Sequence, residues 1–260
     1  SYLYTGGNLV EPKVYTSPVH RYHVLTKGLL YSFLAALPLF IIYEVLIMLT
    51  APTTEVVVRI SVDVWFKQLL QLFGLDALNI SLLLVLVAGI FILIRKRGEL
   101  NELRVSYFGV ILVESTFWAI LVAFVSSSLT NWILPGMAEQ STGSTVQLSY
   151  IQELALSLGA GLYEELFFRV LLVSLFIWIF SKWFGAKSWA SYISAILLSA
   201  VLFSAVHYTG NMGDPFTMSS FLFRFLFGVI LNGIYVWRGF GVAAWTHALY
   251  DVIIITFLGA

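Results

Sequence analysis

Long apolar runs are the feature that most constrains what this chain can fold into. A helix needs about 20 predominantly apolar residues to cross the hydrocarbon core of a bilayer. Seven candidate runs of about this length or longer lie at 28–50, 78–94, 105–129, 146–180, 189–208, 219–237 and 242–258. The sequence therefore predicts an all-α, polytopic integral membrane protein with about seven transmembrane helices, and it leaves room for an eighth short or re-entrant element.

Composition agrees with a membrane protein and excludes several functional classes. Hydrophobic residues make up 60% of the chain and charged residues 11%, far from the roughly 25% charged residues of a soluble domain. The 14 Lys and Arg balance the 14 Asp and Glu, so net charge gives no case for a nucleic-acid partner. Because the chain has no Cys, disulfides, thiolate nucleophiles and Cys-ligated metals are excluded. Membrane lipids are the expected surroundings.

Two regions outside the apolar runs have a different character. Residues 1–27 contain no apolar run like that of a signal peptide, and we expect a polar N-terminal arm there. Residues 54–76 mix apolar and charged side chains, which suits a helix that lies in the membrane interface. The remainder, 28–260, is predicted to be one transmembrane domain, with N-terminal helices in 28–145 and a core in 146–260.

The fourth apolar run is too long for one untilted crossing. It covers about 35 residues, which corresponds to about 50 Å of α-helix. We expect a break or an interfacial lead-in at 158–161, the stretch LGAG.

The distribution of Lys and Arg between the runs predicts an orientation. Basic residues mark alternate connections, whereas the intervening connections carry almost none apart from Arg59 and Lys67 in the interfacial segment. The residues that mark one side are Arg21, Lys27, Arg95, Lys96, Arg97, Arg104, Lys182, Lys187 and Arg238. By the positive-inside rule the N-terminus is cytoplasmic, and we expect the protein in a prokaryotic cytoplasmic membrane.

Three charged residues lie within six positions of the fourth run, at 164–169. A charge at the centre of a spanning helix costs about 2.5 to 3.5 kcal/mol, so these groups should face the bundle interior and be paired. Glu165 and Arg169 are four residues apart, in the favourable order for an ion pair on one helical face, and we assign them a supporting role. Glu164 points elsewhere and is left over as a candidate general base or acid.

Histidines and acids in other runs supply candidate partners for Glu164. His207 follows Phe203 by one turn, and His247 precedes Asp251 by one turn. Counting from the predicted helix ends, the two histidines differ in depth by roughly 10 to 15 Å. Helix tilt, or a last helix that starts before residue 241, would bring them together.

Three motifs in this order resemble those of the CPBP family, which includes the prenyl-protein (CAAX) endopeptidases and bacterial intramembrane proteases of the Abi or glutamic type. They are Glu-Glu-x-x-x-Arg at 164–169, Phe-x-x-x-His at 203–207 and His-x-x-x-Asn/Asp at 247–251, the last with a Gly-rich approach. The resemblance covers about 150–258. It implies a conical helical bundle in the C-terminal half and an intramembrane endopeptidase that works without a cofactor.

The resemblance also implies a role for each catalytic residue. Glu164 and His207 would activate a water, and His247 would be the main donor to the oxyanion. Asp251 stands where other members carry Asn. Because a carboxylate cannot donate a hydrogen bond, Asp251 is either protonated or orients His247 through a ring N–H.

Alternatives stay open beside a protease that cleaves a membrane-associated peptide or protein. A non-catalytic subunit or scaffold of a larger membrane complex is one. A zinc protease is another, because histidines and carboxylates can ligate zinc, although no His-Glu-x-x-His is present. A proton-coupled transporter is a third, but we find no inverted repeat.

Two further acids, Glu44 in the first run and Glu114 in the third, lie outside the motifs. We expect them to be structural groups in search of a partner, with Arg224 as one suggestion, or members of a proton path.

Overall fold

The computed structural model describes residues 15–50, 62–64, 77–135, 148–185, 188–209 and 213–258, with side chains at 77–80 left aside. Within these ranges all regular structure is helical, and no strand is present. The predicted all-α class is thereby confirmed.

Eight helices follow one another in the described residues. They are α1 (Pro18–Thr26), α2 (Leu29–Thr50), α3 (Ala77–Arg95), α4 (Ser106–Ile133), α5 (Tyr150–Phe184), α6 (Trp189–Val206), α7 (Met218–Arg238) and α8 (Phe240–Ile253). A 3-10 helix, Arg97–Glu102, follows α3, and a π-helical stretch, Ile254–Leu258, continues α8.

Six helices of the described part are long and apolar enough to cross a bilayer. They are α2, α4, α5, α6, α7 and α8 with its extension to Phe257. The predicted span at 78–94 coincides with α3, whose apolar stretch Ser81–Arg95 is shorter than the other six. The chain is therefore a multi-pass integral membrane protein, and the count of about seven is approximately right.

The expected break in the fourth apolar run is wrong. Ser149 caps the start of α5 through a reciprocal capping box with Gln152, and the helix then continues through 158–161. At that point the α-helical pattern changes to π-helical turns at Ala160–Glu164 and Leu166–Val173, and it returns to α at Ser174–Phe184. Residues 158–161 thus mark a change of helical winding and not the end of the helix.

Helix α8 occupies the centre of the bundle. It packs against α2, α4, α5 and α7. Its inward face is built from small side chains, and Ala243, Ala244 and Ala248 are fully buried. A Cβ at Gly161 of α5 would lie 2.5 Å from the Cβ of Ala248 and 2.6 Å from the Ala244 carbonyl oxygen. Only glycine permits α5 and α8 to approach this closely.

The N-terminal region joins the bundle through α1. Ser17 caps α1 by accepting a hydrogen bond from the His20 backbone N–H. The Lys27 ammonium donates to the Val236 carbonyl at 2.8 Å. Gly239, between α7 and α8, has φ of 87°, a left-handed conformation that favours glycine.

Residues 1–14 and most of the predicted interfacial segment 54–76 lie outside the described residues.

Two ion pairs place arginines differently from the interpretation based on the sequence. Arg238, counted above as a topology marker, is buried and bonds both carboxylate oxygens of Glu114, at 2.5 and 2.8 Å. Arg224, suggested as a partner for Glu44 or Glu114, instead pairs with Asp214 at 2.5 Å. The pairing of Glu114 is thus structural, whereas the cytoplasmic orientation of the N-terminus stays a prediction.

Candidate active site

The aromatic ring of Phe203 brings the three motifs together. The ring is buried and contacts both motif histidines, with centroid distances of 4.9 Å to His207 and 6.1 Å to His247. The Arg169 guanidinium lies over the same ring, 4.5 Å from its centroid. The depth difference estimated from the sequence therefore does not separate the histidines. One reason is that α8 begins at Phe240, before the predicted start, so that His247 lies further along its helix.

The predicted ion pair between Glu165 and Arg169 is present. The guanidinium lies 2.9 Å from the carboxylate, and both side chains are 0% exposed. Arg169 belongs to the second π-helical stretch of α5, and Glu165 lies between the two stretches. The pair neutralises two of the three charges that 164–169 carries into the bundle.

His247 lies between two carboxylates. Its Nδ1 is 2.7 Å from Oε1 of Glu165, and its Nε2 is 3.5 Å from Oδ2 of Asp251. The shorter contact joins residues 82 positions apart, and no spacing rule on one helix reveals it. Glu165 therefore serves two helices, because it binds Arg169 on α5 and orients the imidazole on α8.

Glu164 is only partly buried, unlike its neighbour Glu165. Its carboxylate lies within electrostatic range of His247, Arg169 and Arg224. Asp251 lies within the same range of Glu164. Of the two adjacent glutamates, Glu164 is thus the more accessible, whereas Oε1 of Glu165 contacts both Arg169 and His247.

His207 ends α6 with its ring held in one orientation. Its Nδ1 lies 2.7 Å from the Phe203 carbonyl oxygen. Because a carbonyl oxygen only accepts hydrogen bonds, Nδ1 must carry the proton. In the neutral ring Nε2 then has a lone pair, which is the form required of a base.

Arg224 is a cation near this site that the sequence reasoning had not placed there. It donates to Ser220 at 2.6 Å, to Tyr208 at 3.0 Å and to Asp214 at 2.5 Å. It also lies within electrostatic range of His207. Its bonds to Tyr208 and Asp214 fasten the connection between α6 and α7 next to the histidine.

Comparison with protein families adds a finding to this geometry. Residues 146–253 match the family model described as Rce1-like, type II CAAX prenyl endopeptidase. This region is Rce1-like. The resemblance to the CPBP family drawn from the three motifs is thereby confirmed. Searches of curated proteins and of solved structures returned no match for the chain.

The Rce1-like region contains every candidate site residue but not every wall of the site. It begins just before α5 and ends at the last residue of α8. Helices α2, α3 and α4 lie outside it. Even so, α2 contacts its first helix closely, and the Tyr163 hydroxyl donates to Glu44 of α2 at 3.3 Å.

An apolar cavity of about 670 Å³ lies beside the Rce1-like region. Its walls come from α2, α3, α5 and the junction of α7 with α8. Leu162, Tyr163 and Leu166 line it from α5, and Phe33 and Phe40 line it from α2. The residues of α5 that face the cavity thus flank Glu164 in the sequence.

Histidines and carboxylates such as these can also ligate a metal ion. Among the described residues, no group of three or more His, Asp or Glu is arranged to hold a metal ion. His247 instead has a carboxylate near each ring nitrogen. Zinc dependence remains the untested alternative raised by the residue types.

Proposed function

We propose that this chain is an intramembrane endopeptidase that hydrolyses a peptide bond in a membrane-associated peptide or protein. The match of residues 146–253 to the Rce1-like family supports a membrane endopeptidase. The finer proposal is a glutamate-dependent mechanism in which protein side chains activate the water.

The convergence of the motif side chains around Phe203 is the observation that carries the proposal. Peptide hydrolysis needs a base for water, donors for the oxyanion and an acid for the leaving amine. Glu164 is accessible and His207 has an available Nε2, while His247 is fixed close to both. Side chains from three helices thus supply the required chemical types in one place.

The proposed reaction balances without a further reactant. Glu164, assisted by His207, takes a proton from water, and the hydroxyl oxygen adds to the carbonyl carbon of the substrate. His247 stabilises the charge that develops on the carbonyl oxygen. When the C–N bond breaks, the abstracted proton moves to the amine nitrogen, which becomes the N-terminus of the second product.

The cavity beside α5 supports a substrate with an apolar segment. Its lining is almost entirely apolar and reaches Tyr163, the residue before Glu164. Binding sites of this volume are typical for small apolar ligands and chains. An apolar part of the substrate held there would lie next to the proposed base.

The decisive test compares wild type with Glu164→Gln. Each protein is reconstituted in liposomes together with a membrane proteome, the detergent is removed, and new peptide termini are identified by mass spectrometry. We expect the substitution to reduce cleavage by about 10² to 10⁴-fold, the usual contribution of a general base.

Glu153→Gln is the matched control, because Glu153 lies in the first turn of the same helix. This variant should produce the wild-type termini. Identical termini from wild type and Glu164→Gln would end the assignment of Glu164 as the base.

A second candidate function, a non-catalytic subunit of a membrane complex, is favoured by one observation. Both ring nitrogens of His247 lie near carboxylates, which would compete with a substrate oxyanion for the ring N–H groups. Asp251→Asn distinguishes the two functions. An amide at this position donates a hydrogen bond, so an enzyme should keep or increase its cleavage rate. A scaffold should cleave nothing as either variant and should purify with a partner protein in fixed ratio.

A further inference from the structure

A second buried polar cluster lies on the α2 side of α5. Its members are Tyr43 and Glu44 of α2, Tyr163 of α5, and Asp63 of the described piece 62–64, and all four are buried. The Tyr163 hydroxyl donates to Glu44 at 3.3 Å, and the Tyr43 hydroxyl donates to Asp63 at 2.8 Å. The two tyrosine rings pack edge to face, 5.4 Å apart. None of these residues belongs to the three motifs.

Such a cluster is expensive inside a bilayer. Carboxylates within spanning segments are rare, and those that occur usually mark functional sites. Hydrogen bonds between transmembrane helices contribute only about 0.6 to 2 kcal/mol each, so packing by apolar side chains would serve stability equally well. The cluster is therefore better explained by a functional requirement than by the stability of the bundle.

The backbone of α5 shows where that requirement lies. Residues Ala160–Glu164 form π-helical turns, a local change in the hydrogen-bond ladder that is frequent at functional sites. The ladder here follows the wider i to i−5 pattern, and side-chain contacts on two sides of the helix hold the turn in its rotation. On the α8 side the contact is Gly161 against Ala248. On the α2 side it is Tyr163 against Tyr43 and Glu44.

We propose that Tyr163 and Glu44 are positioning residues of the active site, and that their hydrogen bond sets the rotation of the helical turn that presents Glu164. This inference rests on the proposed function. Tyr163 directly precedes Glu164, so rotation of the turn moves both side chains together. Asp63 acts one step further away, because it holds the Tyr43 ring against Tyr163.

The test uses Tyr163→Phe, which removes one oxygen and keeps the ring packed against Tyr43. In proteoliposomes, the initial rate of terminus formation is measured against the concentration of the membrane proteome. We expect the apparent kcat to fall about tenfold, because misplacement of a reacting group by a fraction of an ångström is already costly. The apparent KM and the unfolding temperature should stay at wild-type values.

Two substitutions of Glu44 provide a rescue comparison. Glu44→Gln keeps an oxygen that accepts from Tyr163, and its kcat should stay within about twofold of wild type. Glu44→Leu removes the acceptor and should match Tyr163→Phe. The double variant Tyr163→Phe/Glu44→Leu should lose no more kcat than either single variant, since both substitutions remove the same hydrogen bond.

Tyr150→Phe is the matched control, because it removes an exposed hydroxyl from the start of the same helix, where Tyr150 bonds Thr256. It should behave as wild type. Wild-type kcat in Tyr163→Phe, or a fall in kcat that follows a fall in unfolding temperature, would overturn the positioning role.

Glu164→Gln, measured in parallel, separates this failure from that of the proposed function. If Glu164→Gln is inactive and Tyr163→Phe is unaffected, only the positioning role is wrong. If wild type and Glu164→Gln cleave alike, both proposals fall. Should Glu44→Leu fail to fold, Tyr163→Phe still decides the question.

Discussion

Two buried arginines in this molecule are held in opposite ways. Arg238, 1% exposed, bonds both oxygens of Glu114 and donates to the Thr26 hydroxyl at 3.0 Å. Arg169, 0% exposed, has the Glu165 ion pair and the face of Phe203. Within the described part of the chain, none of its guanidinium nitrogens makes a hydrogen bond of good geometry.

We interpret the contrast as one between a structural anchor and a candidate active site. Most buried polar groups have hydrogen-bond partners, and the exceptions are often found where catalysis takes place. Arg238 follows the rule and joins α1, α4 and α7 at one corner. Arg169 is the exception, and it lies among the motif residues. We therefore expect substitutions at Arg238 to reduce stability and substitutions at Arg169 to reduce activity.

The largest effect on stability is expected for Arg238→Met. Removal of one partner from a buried ion pair leaves the other charge without compensation, which costs about 3–5 kcal/mol. The free energy of unfolding, measured by titration with a denaturing detergent, should fall by this amount. Cleavage per folded molecule should stay close to wild type. Equal losses of both would remove the distinction between the two arginines.

A smaller loss of stability is expected for Arg169→Met. Glu165 keeps its contact with His247, and the substitution also removes buried donors that lack hydrogen bonds, so the loss should be about 1–3 kcal/mol. Cleavage should fall at least tenfold, because the orientation of Glu165 and His247 depends on this charge. Unchanged cleavage in a protein that unfolds more easily would make Arg169 a second structural anchor.

Gly161→Ala tests the contact on the other side of the site. The new Cβ would meet Ala248 and Ala244 at 2.5 to 2.6 Å and push α5 away from α8, and overpacking of this kind costs about 1–3 kcal/mol. Cleavage should fall together with stability, because Glu165 and His247 lie on the two helices that separate. Gly233→Ala is the control, since a Cβ there has no atom within 4 Å among the described residues.

The smallest effect is expected for the pH dependence of stability, through His23 beside Arg238. Burial lowers the pKa of His23 below its usual value, and the neighbouring Arg238 charge lowers it further. The unfolded chain therefore binds the proton more readily, and stability should decrease slightly as the pH falls below about 6.5. The unfolding temperature of wild type and His23→Gln between pH 8 and 5.5 checks this. A decrease of equal size in both would assign the pH dependence to another group.

The sequence predicted the membrane helices well because their length is set by the bilayer. The predicted starts at 105, 189, 219 and 242 lie within two residues of the observed helices. The errors arose where length alone was the guide. Residues 158–161 were interpreted as a break because ordinary α-helical geometry was assumed. The π-helical turns there depend on contacts with α8 that the sequence does not reveal.

The candidate site shows the same division between local and distant contacts. The Glu165–Arg169 pair was predicted because both residues share one helical face. The bond between Glu165 and His247 was missed, as were the positions of Tyr163 and Arg224 at the site. These contacts join different helices, so they depend on how the helices pack. Only the order of the three motifs gave a signal that distant segments would meet.

The widened stretch of α5 has a consequence for how this chain can change over time. Removal of one residue between 160 and 173 would allow the backbone to return to regular winding without loss of its ability to cross the bilayer. Everything on one side of the deletion would then turn by about 100° relative to the other. Insertion into the membrane and chemical competence could thus be uncoupled by the loss of a single codon.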